Sequence, residues 1–204
     1  MRSWCSLVNT SPCHGEDRGF KSLRPRIKQR GYSNNMFAIL AVQNMGVPYF
    51  KQDTNFSCGP AVIQMILAFF GIHQSEGYLQ KKLESDEKKG TDHMNMISYL
   101  LKKGLYCYAN NDSTFKEVAY FLDKKIPVVV NYLEPEADWG HYAVVLELNK
   151  NNIILNDPWH GERFSMRLDE FEERWQSGDG KHKKWILAVS KSDLQMGKQY
   201  VPNV

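Results

Sequence analysis

The 204-residue chain has no apolar run long enough to cross a bilayer. Its longest, Val62 to Ile72, is broken by Gln64, whereas a membrane helix needs about 20 consecutive apolar residues. No membrane-spanning segment is expected. Cysteine is sparse: Cys5, Cys13, Cys58 and Cys107 form no CxxC pair. A disulfide framework is therefore not expected in a domain of this size, and Cys5, Cys13 and His14 lack zinc-finger spacing. The first 30 residues contain no continuous apolar stretch, so no secretory signal is expected and a reducing cytoplasm is the expected compartment. No internal repeat is visible. Gly15 to Ser22 superficially resembles a phosphate loop, but Phe20 stands where glycine must precede Lys21, and no apolar strand leads into it. ATP binding is not expected.

A surplus of charge is also missing where it would matter. The net charge is +3, but residues 1–35 hold seven Lys/Arg against two Asp/Glu, and residues 36–204 hold 19 against 21. The basicity belongs to the tail, and the body makes no case for nucleic-acid binding.

What is present is enough for one domain. The chain is 42% hydrophobic and 24% charged, so it can bury a core. Residues 1–35 mix Ser, Pro, Gly, Arg and Asn with no apolar period and read as a disordered tail. Within them, Gly19-Phe20-Lys21-Ser22 is what the T-arm of a transfer-RNA gene gives when read as codons. A second reading therefore makes 1–35 mistranslated upstream sequence, with Met36 as initiator. Residues 36–204 form the expected domain.

Cys58 to Phe70 predicts a helix buried on most sides and ended by Gly71. Ser75 to Leu83 predicts a more polar helix. Thr91 or Asp92 caps a third helix through Lys103, and Ser113 caps a fourth through Lys125, stopped by Pro127. The period then changes. Val128 to Tyr132 predicts a buried strand. His141 to Leu148 and Ile153 to Asn156 predict a hairpin turning at Asn149–Asn152. Leu168 to Trp175 predicts a short helix, and Trp185 to Val189 a last strand. Helices followed by antiparallel strands give an α+β fold.

Cys58 follows a polar turn and opens an apolar helix. The positive end of the helix dipole and the unpaired N–H groups there favour thiolate, the nucleophilic form. Gly59 allows a substrate backbone to approach, and Pro60 suits a first helical turn. A lone cysteine is more often a small core residue; its neighbours change the odds. The Gln52 amide can donate to a developing oxyanion together with the Cys58 N–H. His141, between Gly140 and a strand, has the pKa range of a general base. Asp157 falls beside His141 at the open end of the predicted hairpin, within reach of the ring. There it can fix the tautomer and stabilise imidazolium.

These residues carry a resemblance. Gln52-x5-Cys58-Gly59-Pro60-Ala61, then Gly140-His141-Tyr142-Ala143-Val144-Val145, then Asn156-Asp157-Pro158, are similar to the bacterial papain-like peptidases that process bacteriocin precursors after a double-glycine leader. The resemblance covers roughly residues 46–190. It implies a papain-like fold, with a helical half bearing Cys58 packed on a sheet half bearing His141 and Asp157. It also implies peptide cleavage through an acyl-enzyme, with Cys58, His141 and Asp157 as triad and Gln52 as oxyanion donor. The transporter-linked members add a membrane domain and an ATPase domain that this sequence lacks, so it looks more like the stand-alone branch.

The expected function is thus a cysteine peptidase acting on a peptide or protein substrate, with no cofactor. The alternatives are a non-cleaving peptide-binding module on the same fold, and acyl transfer to an amine by the same residues. His160 and Asp138 sit near the site in sequence but are expected to be solvated rather than to hold a metal. Cys107 is expected in the core. Trp139 and Trp159 either shield the histidine–carboxylate bond or simply pack.

Overall fold

A computed structural model describes residues 45–202. The expectations for the 1–35 tail, for Met36 as initiator, for Cys5, Cys13 and His14, and for the Gly15–Ser22 segment lie outside the described residues.

The helices come first. α1 (Cys58–Phe69) is buried along Cys58–Ile63 and Met65–Leu67, so nearly every face meets the core. It ends in a Schellman arrangement. Gly71, at φ +82°, gives its N–H to the Ala68 carbonyl at 2.9 Å, and Ile72 reaches Leu67 at 2.8 Å. α2 (Glu76–Lys82) and α3 (His93–Lys102) follow. Of the two candidate caps for α3, Asp92 is the one used; it accepts from the N–H groups of Met94 and Asn95. α3 ends as α1 does, with Gly104 at φ +76°.

β1 (Tyr106–Asn110) then interrupts the helical run, so helices and strands are not cleanly segregated. α4 (Phe115–Asp123) is shorter than its pattern predicts. Its cap is Thr114, which accepts from Glu117 N–H, and not Ser113, which is buried. β2 (Val128–Leu133), β3 (Gly140–Leu148), β4 (Asn152–Asp157) and β5 (Gly161–Arg167) form a meander. The β3–β4 turn is held by Asn149 Oδ1, which accepts from the N–H groups of Asn151 and Asn152. α5 (Leu168–Arg174), β6 (Ile186–Ser190) and β7 (Gln199–Tyr200) complete the described chain.

Among the described residues the strands form one sheet in the order β5-β4-β3-β2-β6-β1-β7, with every pairing antiparallel. α1 packs against β3 and α2, α4 against β2 and β3, and α5 against β2, β4 and β5. Cys107 lies fully buried in the core, and burial pushes its thiol up to about 12. It is therefore inert as a nucleophile.

Two registers fix the site. Tyr132 on β2 pairs directly with His141 on β3, and Val144 pairs with Asn156 on β4. Continuing the second register by one residue sets Asp157 opposite Ala143, two residues from His141. Tyr132, His141 and Asp157 thus share one face of the sheet, His141 and Asp157 as diagonal neighbours.

Candidate active site

Cys58 is the first residue of α1, where the initial N–H groups have no intrahelical acceptor. The residue before it, Ser57, has the chemistry of a cap but makes no side-chain cap to the helix. Its Oγ accepts instead from the N–H and hydroxyl of Thr54, at 3.0 and 2.9 Å. The head of the helix dipole, with Cys58 on it, is left uncapped.

His141 and Asp157 meet as the register requires. His141 Nε2 lies 3.0 Å from Asp157 Oδ1. The same oxygen accepts from the N–H groups of Trp159 at 2.8 Å and His160 at 2.7 Å, so the Asp-Pro turn clamps its own carboxylate. Oδ2 accepts from the Tyr132 hydroxyl at 2.5 Å. The carboxylate is entirely buried and carries four donors, which is what a charge in that position requires.

With Nε2 taken by Asp157, Nδ1 is the ring nitrogen left over, and Cys58 lies near enough to act on the ionisation of the ring. Burial alone would lower the pKa of His141. The hydrogen bonds and charges of Asp157 and Cys58 outweigh it and raise the ring from 6.5 to about 10. Burial likewise works to raise Asp157, but the His141 bond and charge, the His160 N–H and the Tyr132 hydroxyl hold it below 3.8. Both directions favour an imidazolium–carboxylate pair.

Gln52 is buried, and its Nε2 donates to the Thr54 carbonyl at 2.6 Å. A carbonyl only accepts, so that contact fixes which end of the amide faces it. One amide hydrogen is used there; the second is left over, and Gln52 Oε1 is buried without a hydrogen-bond partner. The loop is tied down twice more. Gln52 N–H reaches the Pro158 carbonyl at 3.1 Å, and Asp53 N–H reaches Glu76 Oε1 at 2.9 Å.

All four sequence candidates therefore lie in one buried neighbourhood, drawn from the loop before α1, the head of α1, the start of β3 and the end of β4. Five further residues singled out in the sequence have the following surroundings. Gly59 does not face a cleft: a Cβ there would lie 2.3 Å from Thr91 Oγ1, so its missing side chain makes room for Thr91. Trp139 and Trp159 are not core residues, being 62% and 46% exposed. The rings beside His141 are Tyr132 and His160, with centroids 5.7 and 6.2 Å away. Asp138 is exposed, as expected, whereas the His160 side chain is mostly buried. His160 Nε2 is 3.4 Å from Glu134 and its ring stacks on Phe164, while Asp138 pairs with Arg174.

Tyr132 is the neighbour of Asp157 that sequence reasoning missed. Its signal was a phenol near the end of a largely apolar strand, because a buried tyrosine hydroxyl needs a partner. A surface depression of about 810 Å³ over α2, between Ser75 and Lys89, includes none of these residues.

Solved structures with this fold include peptidase domains. The structure overlays the peptidase domain of Streptococcus ComA, a bi-functional ABC transporter involved in quorum sensing, with TM-score 0.55 at 20% identity, over 72% of this chain and 99% of that domain. It overlays a double glycine motif protease from an AMS/PCAT transporter, in complex with its leader peptide, with TM-score 0.56 at 16% identity, over 74% and 95% of the two chains. At these identities the likeness establishes the papain-like peptidase fold. An uncharacterized protein of Methanothermobacter marburgensis is 32% identical over 123 residues, 60% of this chain and 79% of its own length. The family model that matches spans residues 44–181, from before Gln52 to beyond Asp157, and the chain belongs to the Peptidase_C39-like family.

Proposed function

We propose that the protein is a cysteine peptidase with Cys58 as nucleophile, His141 as general base and acid, Asp157 as the orienting carboxylate and Gln52 as oxyanion donor. The observation that carries this reading is the 3.0 Å contact of His141 Nε2 with a fully buried Asp157, beside a Cys58 that stands at the uncapped head of α1 and acts on the ionisation of the ring.

Cys58 thiolate attacks a peptide carbonyl. The Gln52 amide and the Cys58 N–H receive the oxyanion. His141 passes its proton to the leaving amine, then takes one from water to release the acyl group. Peptides are the substrate class, in keeping with the leader peptide bound by the structural relative from the AMS/PCAT transporter.

The test is digestion of a proteome-derived peptide library by wild-type and Cys58→Ala protein, read by mass spectrometry. New termini from the wild type alone support the reading. Equal digestion by both, or peptide binding with no product over days, overturns it, and the second result favours a module that binds without cleaving.

A further inference from the structure

The two oxygens of Asp157 do different work. Oδ1 carries the His141 ring and two N–H groups of its own turn. Oδ2 faces the other way, into the sheet, where the Tyr132 hydroxyl donates to it at 2.5 Å. Tyr132 and Asp157 are both fully buried. Water is not at hand to replace either partner, so each depends on the other.

The position of Tyr132 is set by the sheet rather than by chance contact. It stands directly across from His141 in the β2–β3 ladder, with the two rings edge to face at 77°. Its other side lies against Phe171 of α5, with centroids 5.5 Å apart. The phenol is thus held between the imidazole and the core, and its hydroxyl reaches past His141 to the carboxylate that His141 also binds.

We propose that Tyr132 is a positioning residue of this site: by donating to Asp157 Oδ2 it holds the carboxylate in the one rotation that keeps Oδ1 on His141. The proposal rests on the Cys58–His141–Asp157 reading. Its chemical logic is simple. A carboxylate rotates about the Cβ–Cγ bond unless both oxygens are held. The turn N–H groups and the ring hold one oxygen, and Tyr132 holds the other. The phenol is suited to the task, because burial and the nearby Asp157 charge push its own ionisation well above 10. It remains a donor throughout the range in which the enzyme works, and never competes for the imidazole proton.

Tyr132→Phe removes the hydroxyl and keeps the ring. The expected result is a fall in kcat of roughly tenfold to a hundredfold with KM unchanged, by analogy with the loss when the hydrogen-bond partner behind a metal-ligating histidine is removed. A packing role alone would not move the titration of Asp157. The proposal requires that it move: Asp157 loses a donor to its charged form, so its midpoint, followed by carbon-13 NMR of the carboxyl carbon, rises. The acid limb of kcat/KM rises with it. In an Asp157→Asn background, Tyr132→Phe has no further effect on kcat.

Should Tyr132→Phe fail to fold, wild-type protein gives the answer without a variant: the Tyr132 Cζ signal must shift with the same midpoint as the Asp157 carboxyl carbon. Tyr132→Phe with kcat within twofold of wild type and an unmoved Asp157 midpoint overturns the proposal, as does a Tyr132 signal indifferent to Asp157. Absence of peptide hydrolysis by the wild type would remove the peptidase reading, while the NMR titration would still decide whether Tyr132 controls Asp157.

Discussion

Gln52 and Pro158 share a backbone hydrogen bond of 3.1 Å, from the N–H of the first to the carbonyl of the second. It ties the loop that leads into Cys58 to the turn that follows Asp157. The proposed nucleophile arrives on a helix and the histidine–carboxylate pair on a sheet, so their separation depends on contacts of this kind. Asn156 Nδ2 adds another, donating to the Val47 carbonyl at 2.9 Å. A set of catalytic groups must be held within fractions of an ångström, and short-range ties between the two halves supply that constraint.

Asp157→Asn is expected to lower kcat by about 10² to 10⁴, the contribution of a positioned acid–base group, with little change in KM. The amide cannot carry the negative charge that stabilises imidazolium, and its N–H₂ meets either the N–H groups of Trp159 and His160 or, turned over, the Tyr132 hydroxyl. Steady-state kinetics on a peptide identified from the library decide the point. A kcat within threefold of wild type would exclude Asp157 from the mechanism.

Gln52→Ala is expected to cost on the order of 10² to 10³ in kcat, the usual loss of one oxyanion donor. Gln52→Glu should be at least as poor, because a carboxylate repels the oxyanion. Both variants should still be alkylated at Cys58 by iodoacetamide, since neither the thiol nor His141 is altered. Loss of alkylation together with turnover would mean that Gln52 acts by shaping the loop rather than by donating to the substrate.

Stability should depend on pH from both sides. Asp157 is held below its ordinary 3.8, so the stability it supplies is present above that value and is lost as the pH falls through the lowered one. His141 is raised, so its contribution is complete below pH 6.5 and is lost as the pH rises through about 10. Urea midpoints followed by tryptophan fluorescence should be highest between these limits. His141→Gln should flatten the alkaline decline specifically. A wild-type midpoint that stays constant from pH 6.5 to 10 would contradict the ion pair.

Gly59→Ala tests packing rather than chemistry. The new Cβ would lie 2.3 Å from Thr91 Oγ1 and 2.5 Å from Thr91 Cβ, too close for either to remain in place. Overpacking of this kind costs about 1–3 kcal/mol. Thr91→Gly in the same chain removes all the clashing atoms and should recover part of the loss, measured as a thermal midpoint. Equal stabilities for Gly59→Ala and wild type would show that the Thr91 contact is not the reason glycine stands there.

Much of this architecture was legible in local pattern. α1 could be read from its apolar density and closing glycine, and β2 from its unbroken valines. The β3–β4 hairpin could be read from alternation interrupted by a run of asparagines. β1, β5 and β7 could not. β5 reads Gly-Glu-Arg-Phe-Ser-Met-Arg and buries only Met166, so it carries little hydrophobic signal and owes its extended form to pairing with β4. β7 is two residues paired to β1 at the sheet edge. β1 is short, and between two helices it was seen only as a buried cysteine.

The identity of the candidate residues came from the sequence, because chemistry resides in side-chain type: a thiol after a polar turn, a histidine opening a strand, an aspartate closing the next. Their partners came from the fold. Thr114 rather than Ser113 caps α4, Gly59 serves Thr91, and Tyr132 reaches Asp157 from 25 residues away. Each of these depends on which strands lie side by side and on the register between them. Spacing along the chain carries local periodicity, but burial and cross-strand proximity exist only once distant segments have closed on one another.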